Sequence, residues 1–326
     1  MRLQHIHLPH RAPSLYPPYT LASRVQEHLR RRHLDFKDDA VQRQQRPPLG
    51  VITPNTSPPA PILLSFTPLP TYTLGRRQTS PLADAESTRL QAPLRITHQG
   101  QGQMPAGTTT STLPVTILHA PRGGLVTYHG PGQIVLWPVM DLKSPLHKQF
   151  TVRCYSRLLE DTTIAVLAKT FGIEAFTTED PGVWTRGGKI AALGVHLRRH
   201  VSALGTAINI EMPGDEVVSE EMNPWRRIVA CGLEGKTVTS ATGEVDGGLE
   251  DIDRRLSVGG HVAREEAVAQ RWAEELAGRI SAEGVDAVGV EDVVAFVEDI
   301  VFRAGSGEED VREEEREYVR GLQRLL

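Results

Sequence analysis

Cysteine is nearly missing from this chain, with Cys154 and Cys231 the only two among 326 residues. Two thiols cannot build a disulfide framework or a cysteine-rich zinc site, and so low a count fits a reducing compartment. An excess of one charge is also lacking. The 36 basic and 40 acidic residues leave a formal net charge of −4, without the concentrated basic surplus that marks a nucleic-acid binder. No apolar run approaches the roughly 18 to 20 residues of a membrane helix, and the N-terminus has no continuous apolar signal-peptide core. A phosphate-cradling P-loop is absent as well, and the glycines do not follow the dinucleotide spacing G-x-G-x-x-G between a strand and a helix. What is present is a 39% hydrophobic chain long enough for a sizeable core.

Charge is unevenly placed along it. The first acidic residue is Glu27, whereas Arg2, Arg11 and Arg24 and several histidines precede it. That bias marks residues 1–18 as a candidate mitochondrial presequence. Leu21, Val25 and Leu29 recur at helical spacing, so a first amphipathic helix is expected over Tyr19 to Leu34. Two polar stretches rich in Gln, Pro, Ser, Thr and Gly, at about 38–61 and 78–112, read as low-complexity insertions. Between and after them come apolar runs expected as strands: Ile62 to Phe66, Thr71 to Leu74, Val115 to Leu118, Gln133 to Val139, Lys189 to His196 and Ala203 to Glu211. Helices are expected over Phe150 to Phe171 and Val262 to Ile280, the second carrying Val268, Trp272, Leu276 and Ile280 on one face. The end of the chain is acidic, with seven Asp or Glu residues between Glu308 and Glu317, and reads as a solvated helix or frayed tail within an extension at 281–326.

Three blocks carry the chemistry. In the first, Arg122 to Gln133, four glycines and a proline surround Arg122, Thr127, Tyr128 and His129 just before an apolar strand. Glycines let backbone approach a ligand, but the same block could be a tight hairpin in which Arg122 and His129 are structural hydrogen-bonders. In the second, Gly182 to Val195, Lys189 enters an apolar strand, where an ammonium must meet an anion, lose its charge, or snorkel to the surface. In the third, Cys231 follows the apolar run Ile228-Val229-Ala230 and precedes Gly232, with Val238-Thr239-Ser240 downstream. A thiol there is either an exposed nucleophile or an inert core residue; for Cys154, on the helix, an inert buried thiol is the expectation. Trp137 and Trp184 read as core.

Together the blocks resemble one family closely, the lipoyl(octanoyl) transferases of protein lipoylation. Its R-G-G-x-x-T-Y-H-G-P-G-Q segment, its G-V-W segment followed by K-I-A-x-x-G-V, and its C-G-I/L segment followed by V-T-S stand here in the same order, and Thr71 to Arg76 is similar to its Y-T-L-G-R turn. Two positions depart from the pattern: Ala230 stands where proline is usual before the cysteine, and Leu204 where histidine is usual before Gly205. The resemblance implies an α/β (α+β) fold, a single domain over 19–280 with a mixed, mostly antiparallel sheet flanked by helices, like the catalytic domain of biotin and lipoate protein ligases. It implies transfer of an octanoyl or lipoyl group from acyl carrier protein to a lysine of lipoyl domains, those of the 2-oxoacid dehydrogenase complexes and of the glycine cleavage H protein. Cys231 would be the thioester-forming nucleophile and Lys189 its partner. Arg122, Gly123, Gly124, Leu125, Val126, Thr127, Tyr128 and His129 would line the acyl pocket, with Ala192, Leu193, Gly194, Gly205, Thr206 and Ala207 as its other walls. No cofactor or metal is implied, and the setting would be mitochondrial, with cytoplasmic as the alternative. Three other readings stay open: an ATP-dependent lipoate or biotin ligase on the same fold, an inactive scaffold that binds lipoyl domains or carrier protein, and a cysteine hydrolase using Cys231 with His129.

Overall fold

The computed structural model describes residues 1–45, 57–99, 108–214, 216–228, 235–256, 263–303 and 311–324. In chain order its elements are β1 (Leu3–Leu8), α1 (Tyr19–Gln45), β2 (Ile62–Phe66), β3 (Thr71–Leu74), α2 (Asp84–Gln91), β4 (Leu94–Gln99) and β5 (Thr108–Leu113). Next come β6 (Thr116–His119), β7 (Val126–His129), β8 (Gln133–Val139), α3 (Val152–Phe171), β9 (Val183–Thr185), β10 (Gly188–Arg198) and β11 (Val201–Asn209). The last are α4 (Ala241–Glu244), α5 (Gly248–Leu256), α6 (Arg264–Arg279), β12 (Val285–Ala287), α7 (Val290–Glu298) and α8 (Glu313–Gln323).

Seven strands form the main sheet in the order β12-β1-β2-β8-β11-β10-β9. Only the pairings of β1 with β2 and with β12 are parallel; the other four are antiparallel, the mixed and mostly antiparallel arrangement expected. β2 and β8 are buried along their whole length, which is why they read as unbroken apolar runs rather than alternating ones. One face of the sheet packs under α3, α5 and α6, around Leu136, Leu159, Ile208 and Trp272; the other packs under α1, α7 and α8, around Val25, Leu64, Trp137 and Val319. Thr151 caps α3 by accepting from the Cys154 amide at 3.1 Å, and Gly172, at φ 68°, ends it. The indole of Trp272 donates to Thr163 at 3.1 Å and ties α6 to α3. A smaller three-stranded sheet, β6-β3-β7, lies beside this frame, with β3 and β7 antiparallel.

Four expectations meet a different outcome. Residues 3–8, within the candidate presequence, form a strand inside the sheet: Leu3 and Leu8 are fully buried and Ile6 nearly so. His5 and His7 share the Ser65 hydroxyl, each at 2.8 Å, so their histidines are interior hydrogen-bonders rather than a solvated basic arm. The helix expected to stop at Leu34 runs on to Gln45, into the stretch read as an insertion. Within the stretch 78–112, also read as insertion, residues 84–91 form α2 and residues 94–99 form β4, which pairs antiparallel with β5, and Leu90 and Leu94 bury against Tyr72 and Tyr128. The acidic extension is built into the molecule: β12 pairs with β1, and Tyr318, Val319 and Leu322 of α8 are buried while its glutamates cluster at the first turn. The acidic count hid a clear amphipathic stripe. Parts of both polar stretches, residues 46–56 and 100–107, lie outside the described residues.

If β1 is a core strand, Leu3→Ala should destabilise the protein by about 2–5 kcal/mol, the ordinary cost of truncating a buried leucine. Urea unfolding at neutral pH measures this directly. A change below 0.5 kcal/mol, the size usual for surface positions, would show the N-terminal strand to be peripheral.

Candidate functional site

The three motif blocks converge where β7, β8, β10 and β11 come together. Gln133, the first residue of β8, accepts from His129 Nδ1 through its Oε1 at 2.7 Å and donates through its amide nitrogen to Asn209 Oδ1 at 2.8 Å. Asn209, at the end of β11, donates in turn to the Thr239 carbonyl at 2.9 Å. The Thr239 amide then donates to the Lys189 carbonyl at 3.1 Å, and the Lys189 amide to the Thr237 carbonyl at 3.0 Å. The side chains of this relay are all buried. Its polarity fixes the His129 tautomer: facing the Gln133 oxygen, Nδ1 carries the proton and Nε2 is the basic nitrogen. Burial pushes the imidazole pKa down to about 4, against the opposing pull of the Gln133 hydrogen bond, so His129 is neutral at physiological pH.

Arg122 has a different task from the one its charge suggests. Its guanidinium donates to the Thr73 carbonyl and hydroxyl at 2.5 and 2.7 Å and to the carbonyls of Gly123 and Leu125, each at 2.9 Å. These bonds clasp the glycine loop onto β3, and the apolar stem of the arginine runs toward β10. That stem passes so close to β10 that a Cβ on Gly194 would lie 2.9 Å from Arg122 Cδ. The structural hydrogen-bonder reading of Arg122 is therefore the one the geometry favours.

Lys189 is buried, at 7% exposure, and its ammonium lies 5.3 Å from the centre of the Trp184 ring. Gly182, at φ 125°, makes room for it: a Cβ there would sit 2.6 Å from Lys189 Cε. A register shift in the pairing of β9 with β10 falls between Lys189 and Ala191. Cys231 lies outside the described residues, within 229–234. Both flanks of that segment are moored beside the site. Upstream, Trp225 packs edge-on against Tyr128 at 5.7 Å, and the buried Arg227 donates to the carbonyls of Pro93 at 3.0 Å and Glu220 at 2.7 Å. Downstream, Val238 bridges to Lys189.

Between the relay and α1 lies a narrow pocket lined by Arg122, Thr127, His129, Ala192, Leu193, Gly194, Gly205, Thr206 and Ala207, joined by Tyr19, Val135, Trp137 and Leu204. Nine of the residues expected at a pocket are thus gathered at one. Gly123, Gly124, Leu125, Val126 and Tyr128 do not line it; Tyr128 points to the far side of its sheet, into the small core with Tyr72. Tyr19, Val135 and Trp137 escaped the sequence reading, whereas Leu204 stands at a position marked there as a departure from the family pattern. Tyr19 stacks on His129 with ring centres 5.5 Å apart, and Trp137, read as plain core, packs edge-on to Tyr19 at 5.2 Å. The period of two along β8, which puts Val135 and Trp137 on one face, was the available signal. Cys154, expected to be buried, is exposed in the first turn of α3.

Residues 53–249, more than half of the chain, match the family model of the lipoyl protein ligase A/B catalytic domain. A Schizosaccharomyces pombe protein named as a probable octanoyltransferase is 37% identical over 185 residues, 56% of this chain and 68% of that one. A mitochondrial octanoyl-acyl-carrier-protein:protein N-octanoyltransferase of Danio rerio is 36% identical over 54% of this chain and 64% of its own length. A mitochondrial octanoyltransferase of Saccharomyces cerevisiae is 29% identical over 68% of this chain and 70% of its own. Among solved structures, a bipartite lipoate protein ligase from Thermoplasma acidophilum is similar at a TM-score of 0.47 and 13% identity, with 95% of each chain covered.

The depressed His129 pKa has a stability consequence of definite sign. The fold holds the neutral ring, so its contribution is complete above the ordinary histidine pKa of 6.5 and is lost as pH falls from there toward about 4. At about 1.4 kcal/mol per unit, the loss approaches about 3 kcal/mol. Urea unfolding between pH 7.5 and 4 should therefore give a shallower pH slope for His129→Gln than for the parent, by about one proton. Parallel slopes would show that His129 is not held neutral.

Proposed function

We propose that this chain, which belongs to the lipoyl protein ligase A/B catalytic-domain family, is an octanoyltransferase that carries an octanoyl group from an acyl carrier protein to a lysine amine of a lipoyl domain. The observation that carries the reading is the relay from His129 to Lys189, which ties all three motif blocks together beside a narrow pocket walled largely by glycine, alanine and apolar side chains of the first two blocks and of β8 and β11. At about 0.8 kcal/mol per buried methylene, an eight-carbon chain in such a pocket gains several kcal/mol of binding.

In the first step the Cys231 thiolate attacks the donor thioester, forming a new carbon–sulfur bond and expelling the carrier thiolate, which takes up a proton. In the second, the neutral amine of the acceptor lysine attacks the Cys231 thioester; the amide forms, the cysteine sulfur leaves, and the amine proton passes to a base. Thioester exchange is close to isoenergetic and the acyl-cysteine remains reactive toward an amine, so no nucleotide is needed. An unperturbed thiol with a pKa of about 8.5 is mostly protonated at neutral pH. The Lys189 ammonium supplies the cation that favours the thiolate and serves as the proton carrier between the two steps. Arg122 orders the glycine loop, and His129 and the walls around it receive the chain. The mitochondrial names of two relatives support a mitochondrial setting, together with the basic bias of the N-terminus. Cutting the chain after residue 18 would remove β1 from the sheet, so a targeting role for these residues must coexist with a structural one.

Intact-protein mass spectrometry after incubation with octanoyl-acyl carrier protein tests this. One octanoyl adduct is expected on the parent and on Cys154→Ala, none on Cys231→Ala, and the adduct should discharge onto an added lipoyl domain. Lys189→Ala should slow its formation about a hundredfold or more, the usual weight of a proton-transfer residue. Labelling that requires free octanoate and ATP would turn the assignment to a ligase, discharge to water alone would turn it to a hydrolase, and a folded protein with no adduct would leave a binding scaffold.

A further inference from the structure

Beyond the register shift at Lys189–Ala191, the apolar side chains of β10 and β11 that pack in the two cores alternate between them except at one position. Leu193, Val195 and Leu197 of β10 pack against the core under α3 and α6, while Ala207 of β11 belongs to the core under α1. Directly paired residues of antiparallel strands point to the same face, and Val195 pairs with Leu204. Leu204 should therefore face α3. Instead it packs in the opposite core, with Val135, Trp137 and Ala207, and lines the pocket. The cause is its backbone, at φ 61° in the left-handed region, which turns the side chain across the sheet. A non-glycine residue held there is strained, and such strain gathers where a particular side-chain placement serves a site.

Its place along the pocket says what that placement does. Lys189 is the second residue of β10; the pocket wall then runs through Ala192, Leu193 and Gly194, and Leu204 stands opposite the next residue, Val195. From Lys189 to that pair is roughly 20 Å of strand, so Leu204 closes the end of the pocket remote from the lysine. The other walls at that end are fixed: Trp137 is wedged edge-on between Phe66 at 4.7 Å and Tyr19 at 5.2 Å, and the Gly205 backbone is pressed so close to β8 that a Cβ would meet the Leu136 carbonyl at 2.2 Å. Leu204 is the aliphatic side chain left to set the depth.

We propose that Leu204 is the chain-length gauge of this enzyme: its side chain, turned into the pocket by a left-handed backbone, meets the methyl end of the acyl chain and excludes chains longer than the pocket holds. The proposal rests on the acyl-transfer reading above. Its test is transfer from hexanoyl, octanoyl, decanoyl and dodecanoyl carrier proteins to a lipoyl domain, measured as kcat/KM for the parent, Leu204→Gly and Leu204→Asn. Glycine and asparagine both accept a positive φ, so neither variant is forced to misfold, and thermal unfolding verifies that they are folded. In Leu204→Gly the decanoyl-to-octanoyl ratio should rise about tenfold or more, since two further methylenes become buried at about 0.8 kcal/mol each. Leu204→Asn, shorter but polar, should fall between it and the parent. Ratios within twofold of one another in all three folded proteins would overturn the gauge while leaving the transferase intact. A parent that transfers no chain of any length overturns both.

Discussion

The Gln133 side chain can face His129 with its oxygen only if its nitrogen faces Asn209, and nearly everything around the pocket depends on that one orientation. The amide joins β7 to β11 and, through Asn209, joins β11 to the segment that follows residues 229–234. It also decides which imidazole nitrogen bears the proton. All three side chains are buried, so each lost partner would leave an unpaired polar group costing about 1–3 kcal/mol. The relay therefore behaves as a unit: its members are worth more together than pairwise bonds would suggest, because no one of them can be repaired by water.

Arg122 and Arg227 show the same economy applied to backbone. Each is a buried guanidinium whose donors go mainly to carbonyl oxygens of loops, Arg122 holding the glycine loop to β3 and Arg227 holding the end of α2 to the segment before residue 229. A planar fork with five donors suits that work, since loop carbonyls have no ladder partner of their own. Through Arg227 the stretch at 84–113, polar enough to pass for a solvated insertion, becomes a brace for the chain leading toward Cys231.

What could be read from the residues divides along physical lines. The strands of the sheet centre and the helices α3 and α6 were legible because burial on both faces leaves continuous apolar runs and burial on one leaves a helical stripe. The motif blocks lie close together in the fold: His129 and the glycine walls line one pocket, and Lys189 is tied to them by backbone through Thr239 and Asn209. Composition misled where a short apolar pattern sat inside a polar background: Leu3, Ile6 and Leu8 among basic residues, Leu90 and Leu94 in the threonine-rich stretch, and Tyr318, Val319 and Leu322 behind a run of glutamates. In each case two or three buried side chains decided the outcome against a much larger count of charges. For Arg122 a structural hydrogen-bonding role and a place at the pocket were both open, and nothing local in a sequence shows that one of its partners will be a carbonyl supplied by a strand about fifty residues earlier. Leu204 was marked as a departure from the family pattern, but the face its side chain takes was not legible, because period-two alternation assigns it to the other one.

The termini reach the site through α1. Tyr19, its first residue, forms part of the pocket wall and stacks on His129, while Leu21, Val25 and Leu29 pack in one core with Ile6 and Leu8 of β1 and with α7 and α8. Further along the helix, Arg30 donates to His196 of β10 at 3.2 Å, and Arg24 lies 3.3 Å from the fully buried carboxylate of Glu315. A buried pair of this kind adds little net stability, but it does discriminate between registers, since sliding α8 along α1 would strand a charge in the interior. Tyr318 adds a second fixed point by donating to the Pro9 carbonyl at 2.6 Å. The position of Tyr19 over the pocket is thus set from two directions: α1 lies on β11, β8 and β2, in one core with Ile6 and Leu8 of β1, and the Arg24–Glu315 pair ties it to α8. An element that composition assigns to a removable leader and another that it assigns to a solvated tail thus share one packed core with the helix that carries Tyr19 to the pocket wall.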